Sequence, residues 1–132
     1  MNEKVRGVVV AHADLAGALV SAVEKISGVT GALRPVSNEG LGPEALQGAI
    51  RRAAAGRRTI LFVDVAGGSC GVAGLRHVRE NGDAVCITGT SLPMLLDFVF
   101  HREMPLDALV ARLLLKGRRG QQAHPDVAAA TD

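Results

Sequence analysis

The sequence predicts an α/β fold: an open, mostly parallel, doubly wound sheet of four to five strands with helices on both faces. Three observations carry this reading. Short runs of Val, Ile and Leu alternate along the chain with longer stretches whose apolar residues recur at helical spacing. Hydrophobic residues make up 48% of the chain and aromatics only 2%, so the core must be assembled from aliphatic side chains, which suits a buried parallel sheet. A length of 132 residues is enough for one core and too short for two.

The first strand is predicted over Val5–Ala11, a valine-rich apolar run. From Asp14 the period changes. Leu15, Leu19, Ala22, Val23 and Ile26 then mark a helix that Gly28 closes. Val29–Val36 is a weaker second strand. Pro43 suits the first turn of a helix, and Leu46, Ala49, Ile50 and Ala53 form its apolar stripe up to Gly56. Thr59–Val65 is the strongest strand signal, because Ile60-Leu61-Phe62-Val63 is the continuous apolar run of a central parallel strand. After Gly67-Gly68-Ser69 a third helix is predicted to about Asn81, where Asn81-Gly82-Asp83 turns the chain into a fourth strand over Ala84–Thr88. Pro93 opens a helix through Phe100. Pro105 opens the last one, with Leu106, Leu109, Val110, Leu113 and Leu114 on one face and a stop at Gly117. One domain thus covers residues 1–120. Residues 121–132 form a polar tail, either disordered or a weak edge strand.

The charge balance excludes several function classes. Net charge is +2, and the Arg pairs 51–52, 57–58 and 118–119 fall near predicted helix ends. Cations there complement the helix dipole by about 0.3–1 kcal/mol. With no basic face and no Trp or Tyr to stack bases, a nucleic-acid partner is not expected. Cys70 and Cys86 do not have the spacing of a disulfide framework or a metal motif, so neither a metal nor a cofactor is predicted. The N-terminus enters a strand without a signal-peptide pattern, and no apolar run approaches the ~20 residues that span a bilayer. A cytoplasmic protein is expected.

Open α/β sheets bind ligands beyond the carboxyl ends of their strands, where the strand order reverses, commonly between strands one and three. His12 ends the first predicted strand, and Asp64 lies near the end of the third. The fold would bring them to one crevice. Imidazole titrates near pH ~6.5, so its neutral form offers a nucleophilic nitrogen. A carboxylate on the other ring nitrogen fixes the tautomer and stabilises the cation formed on attack. Gly67, Gly68 and Ser69 add backbone N–H groups, a hydroxyl and a helix N-terminus, the parts of a phosphate cradle. A lone histidine at a strand end is ordinarily structural; the conjunction of three features is what points to phosphoryl transfer. Other candidates read as structural. Cys70 is a small filler in a turn, His77 lies on a solvated helix face beside Arg76 and Arg79, and His101 ends a helix where the dipole favours it. His124 belongs to the tail and Met94 to the core.

Val8-Val9-Val10-Ala11-His12 followed by Asp14-Leu15-Ala16 resembles the first strand and active-site histidine of mannose-type IIA proteins of the sugar phosphotransferase system. Phe62-Val63-Asp64-Val65 with Gly67-Gly68-Ser69 resembles the family's second motif, and Gly89-Thr90-Ser91-Leu92-Pro93-Met94-Leu95 its third. The resemblance runs in register from Val5 to about Gly120. It implies a homodimer in which His12 takes phosphate from the histidine phosphocarrier protein and passes it to a separate IIB protein. It meets the membrane only through a permease complex. It also implies that Asp64 orients His12, that Gly67, Gly68 and Ser69 hold the phosphoryl group, and that Thr90 and Ser91 lie on the pocket rim. The chain departs from the family pattern in two stretches: Ala13 replaces its usual Gly, and Cys70-Gly71-Val72 its usual Pro-Phe-Asn. The edge strand that family members exchange between subunits would correspond to residues 121–127, which are polar, contain Pro125 and have weak strand propensity. A regulatory module whose phosphohistidine is read by a signalling partner is the alternative. A receiver phosphorylated on Asp64 lacks the acidic pair at the end of strand one, and a flavin site lacks an aromatic to stack the ring.

Overall fold

The computed structural model describes residues 3–127. Four strands, β1 (Arg6–Ala11), β2 (Leu33–Ser37), β3 (Thr59–Val63) and β4 (Ala84–Thr88), alternate with α1 (Leu15–Ser27), α2 (Pro43–Ala54) and α3 (Gly68–Glu80). Two further helices, α4 (Leu92–Val99) and α5 (Leu106–Arg119), follow β4. All strand pairs are parallel, in the order β2-β1-β3-β4. Val10 sits beside Val36 on one side and Val63 on the other, so the carboxyl ends of the strands are level. The order reverses between β1 and β3. The expected crevice is therefore there.

Alternating strand residues feed two apolar layers. Val9, Ala11, Ile60, Phe62 and Ile87 face α1, α4 and α5, where Val20, Val23, Leu95, Phe98, Leu109 and Leu113 are buried against them. Val8, Val10, Leu61 and Val63 face α2 and α3, and meet Leu46, Ile50, Cys70 and Ala73. Burying a Val, Leu, Ile or Phe contributes about 1.5–3 kcal/mol each, and these two layers supply most of the fold's stabilisation.

Several local expectations are corrected. β2 begins at Leu33 rather than Val29. The residues between wrap the end of α1 instead: Val29 N–H donates to Ser27 Oγ, and Gly31 N–H to Glu24 Oε2 with φ +79°. β3 ends at Val63, which leaves Asp64 and Val65 in the following loop. α5 runs through Gly117 to Arg119. Gly117 is not a stop but a contact: a Cβ there would stand 2.6 Å from Met94 Cε. Met94 itself is core, as expected. No fifth strand forms among the described residues; 121–127 are irregular, and 128–132 of the expected tail lie outside the described residues. His77, expected on a solvated face, is 3% exposed. It continues the inward stripe Cys70, Ala73, Gly74, His77, whose 0, 3, 4, 7 spacing defines one side of a helix. Cys70 is likewise no turn filler. It occupies the first turn of α3, fully buried.

Candidate functional site

β1 hands the chain to His12 as it leaves the sheet, and β3 hands it to Asp64 one strand away. Asp64 Oδ2 accepts twice from His12: from the backbone N–H at 3.0 Å and from ring Nδ1 at 2.9 Å. Its Oδ1 accepts from Val65 N–H at 3.0 Å. Burial pushes the Asp64 carboxyl up, but the hydrogen bonds from His12 and Val65 outweigh it and hold the carboxyl below its ordinary value. Asp64 is thus an ionised acceptor, and Nδ1 must carry the ring proton. In the neutral ring the lone pair is then on Nε2. The His12 side chain is 40% exposed and that of Asp64 12%, so the carboxylate is sheltered while the imidazole reaches solvent.

Gly68 faces Nε2. A Cβ at that position would lie 3.2 Å from Nε2 and 3.4 Å from Cε1, and its φ of +79° is in the left-handed region. Any side chain would be strained and would also fill the space in front of Nε2. Gly71 has an equally firm requirement, since a Cβ would stand 2.1 Å from the Ala66 carbonyl oxygen. These two glycines let the loop after β3 fold tightly over the start of α3. No side chain caps that helix, so its first N–H groups remain available to an anion.

Asn38, which sequence reasoning passed over, ties the site together. Its Oδ1 accepts from Ala13 N–H at 3.2 Å, and its Nδ2 donates to Ser69 Oγ at 3.0 Å. Ala13 is held at φ +54°, with its carbonyl accepting from Ser37 Oγ. Ser69 Oγ accepts from Asn38, so its own proton can donate, to the neighbouring Cys70 thiol or to a bound oxygen. A signal existed: Asn38 is the first residue beyond β2, the strand beside β1, and so belongs to the same sheet end.

Cys70 follows Ser69. Burial and the charge on Asp64 push its thiol up, against a hydrogen bond from Ser69, so an activated thiolate is not formed there. Thr90 and Ser91 lie past β4, where Thr90 N–H donates to the Val63 carbonyl at 3.2 Å. Their hydroxyl oxygens are buried without a hydrogen-bond partner and make no contact of that kind with His12 or Ser69. On the opposite flank, a cavity of about 230 Å³ opens beside Ser69, lined by Leu41, Leu46, Val72 and Arg76. Val72 and Leu41, which line it, remain exposed. His101 Nδ1 donates to the Asp97 carbonyl at 2.8 Å, at the end of α4.

No helix among the described residues is long and apolar enough to cross a membrane. A family model described as the PTS system fructose IIA component, EIIA-man, matches residues 7–114. No curated protein matches the chain. Among solved structures, the phosphotransferase system component EIIA of Streptococcus agalactiae superposes with a TM-score of 0.84 at 21% identity, over 90% of this chain and 96% of that one. The mannose/sorbose-specific IIA subunit of Enterococcus faecalis gives 0.80 at 18% identity, over 98% and 100%. A sigma-54 interaction domain protein, also from Enterococcus faecalis, gives 0.74 at 17%, over 91% and 95%. The family match covers most of the chain and the neighbours share its fold: the protein belongs to the mannose-type IIA component family of the sugar phosphotransferase system.

Proposed function

We propose that the protein carries a phosphoryl group on His12, taken from the histidine phosphocarrier protein and passed to a separate IIB protein for sugar uptake. The observation that supports this most is the double acceptance of His12 by one Asp64 oxygen, which in the neutral ring puts the lone pair on Nε2, the nitrogen turned to Gly68. In the transfer, the Nε2 lone pair forms the new N–P bond as the N–P bond to the donor histidine breaks. Nδ1 keeps its proton, and the Asp64 carboxylate faces the cation that results. No proton has to leave the ring. The transferring group is metaphosphate-like, with its charge spread over three oxygens. The Gly67–Gly68 backbone, the start of α3 and the Ser69 hydroxyl are assigned to those oxygens, with Thr90 and Ser91 on the rim. Residues 1–120 are the working domain, cytoplasmic and homodimeric, and the apolar flank beside Ser69 offers a surface for protein donors and acceptors.

The test is to mix the protein with phosphoenolpyruvate and the two general phosphotransferase proteins, and to measure intact mass. One acid-labile phosphoryl group is expected on the wild type and none on His12→Ala. An unmodified wild type, beside a donor protein that is itself phosphorylated, would sink the carrier assignment. A second reading keeps the chemistry but gives the phosphorylated state to a signalling partner. It is favoured by the shared fold of the sigma-54 interaction domain protein and by the Cys70-Gly71-Val72 segment at the docking flank. Transfer from the phosphorylated chain to an IIB protein encoded beside it supports transport; stable phosphorylation with no such transfer supports signalling.

A further inference from the structure

We propose that His12, Asp64 and Cys70 together form a thiolate-dependent binding site for a borderline-soft divalent cation of the zinc class. Each side chain offers one ligand atom, and the three atoms lie within 4.8 Å of one another. One pair, His12 Nδ1 and Asp64 Oδ2, is already 2.9 Å apart. Zinc binds nitrogen and oxygen at about 2.0–2.2 Å and sulfur at about 2.3 Å, so neighbouring ligand atoms of a tetrahedral site are roughly 3.3–3.7 Å apart. Closure requires about 1 Å of movement at the thiol and a rotamer adjustment of an imidazole that is partly in solvent. The sequence offers no ligand spacing for this set. The three residues come from three different segments, and only the fold assembles them.

The ligand types set the ion. Imidazole, carboxylate and thiolate suit zinc or cobalt, whereas magnesium and calcium call for oxygen throughout. Three protein ligands with an exposed imidazole edge leave a fourth position open to water. Binding displaces the thiol proton and, through Nδ1, moves the ring proton to Nε2, while the cation offsets the repulsion between the sulfur and the Asp64 carboxylate. Cys70 is the one nucleophilic side chain beside the site that phosphoryl transfer leaves unused.

The ion and the phosphoryl group exclude each other. Coordination through Nδ1 replaces its hydrogen bond to Asp64; coordination through Nε2 occupies the atom that would carry phosphate. That consequence rests on the phosphocarrier reading. The binding itself does not.

The experiment is a titration of the full chain with Co²⁺ under a non-coordinating reductant. A thiolate-to-cobalt charge-transfer absorption in the near ultraviolet is expected, with visible bands of tetrahedral cobalt. Cys70→Ser should remove the charge-transfer band, Cys86→Ser should retain it, and His12→Ala, an exposed change that leaves the core intact, should lose the tetrahedral spectrum. Absence of the band in the wild type, or its loss in Cys86→Ser and persistence in Cys70→Ser, would overturn the site. Zn²⁺ should displace Co²⁺ and stop His12 phosphorylation in the wild type but not in Cys70→Ser, with recovery on chelation. Equal inhibition of both would overturn it too. If the wild type accepts no phosphate even without metal, the carrier reading fails and the cobalt spectrum alone decides the metal site.

Discussion

The two faces of the sheet share their strands and little else. The face under α1, α4 and α5 is a continuous aliphatic and aromatic layer, with Phe62 and Phe98 edge to face at a centroid distance of 5.0 Å. Phe98 lies over Gly7 so closely that a Cβ there would be 2.7 Å from its ring. The face under α2 and α3 is thinner and admits Gln47, Cys70 and His77 among its buried side chains. α3 approaches this face through glycine: a Cβ on Gly74 would stand 3.0 Å from Cys86 Sγ and 3.1 Å from Val63 Cγ2. Close approach of α3 is what brings its N-terminus over His12. The first face is the deeper part of the core; the second gives up apolar depth to set a helix end against His12.

Substitutions can break that division, the largest effect coming first. Asp64→Asn keeps the size of the side chain but can no longer hold the ring tautomer by charge, and should slow His12 phosphorylation about 10²–10⁴-fold. Its melting temperature should fall by no more than the lowered Asp64 carboxyl contributes, and by less than the core change below. Loss of folding together with activity would mean that Asp64 is structural. On the other face, Phe98→Ala should destabilise by about 3–5 kcal/mol in urea unfolding. Phosphorylation per folded molecule should be unchanged, and a large loss of activity below the unfolding transition would refute the separation of the faces.

Asn38→Ala tests whether the site extends to the β2 edge. The change removes two exposed hydrogen bonds, from Ala13 N–H and to Ser69 Oγ; loss of the second, worth about 0.5–1.5 kcal/mol, should slow phosphorylation roughly 2–12-fold with only a small loss of stability. A rate equal to the wild type would remove Asn38 from the site.

The smallest effect is a pH dependence. Burial lowers the affinity of His77 for its proton in the folded state. Below the ordinary histidine value of about 6.5, the unfolded chain therefore binds more protons than the folded one. Stability should be full above that value and fall as the pH drops through it, until the folded value is reached. Asp64 acts in a separate window. Its lowered value gives a stabilisation present above the ordinary carboxylate range and lost as the pH falls through the folded value. His77→Gln should flatten the upper limb of a melting-temperature profile and leave the lower limb in place. An unchanged upper limb would show that His77 titrates no differently in the folded and unfolded chain.

Much of this was readable from periodicity. The apolar runs and stripes placed all nine elements of the described residues, and β3 and the helix after it were located to within two residues. Errors arose where one residue type has two uses. Gly117 reads as a helix stop because glycine commonly ends helices, yet here it admits Met94. His77 reads as solvated because its neighbours are arginines, although its own spacing from Cys70, Ala73 and Gly74 marks the inward face.

The sequence by itself determined the order of elements, their parallel arrangement and the sheet end at which His12 and Asp64 emerge. Those follow from local patterns and from the right-handed crossover that joins parallel strands. Tertiary structure alone decided which side chains meet there: Asn38 with Ser69, Gly68 with Nε2, and Cys70 with the His12–Asp64 pair. Hydrophobic spacing encodes which side of a helix faces inward, but not how far along the sheet the helix sits or how closely it approaches. Hydrogen bonds and metal–ligand contacts are decided within a few tenths of an ångström, and that distance is set by the sum of contacts across the whole domain.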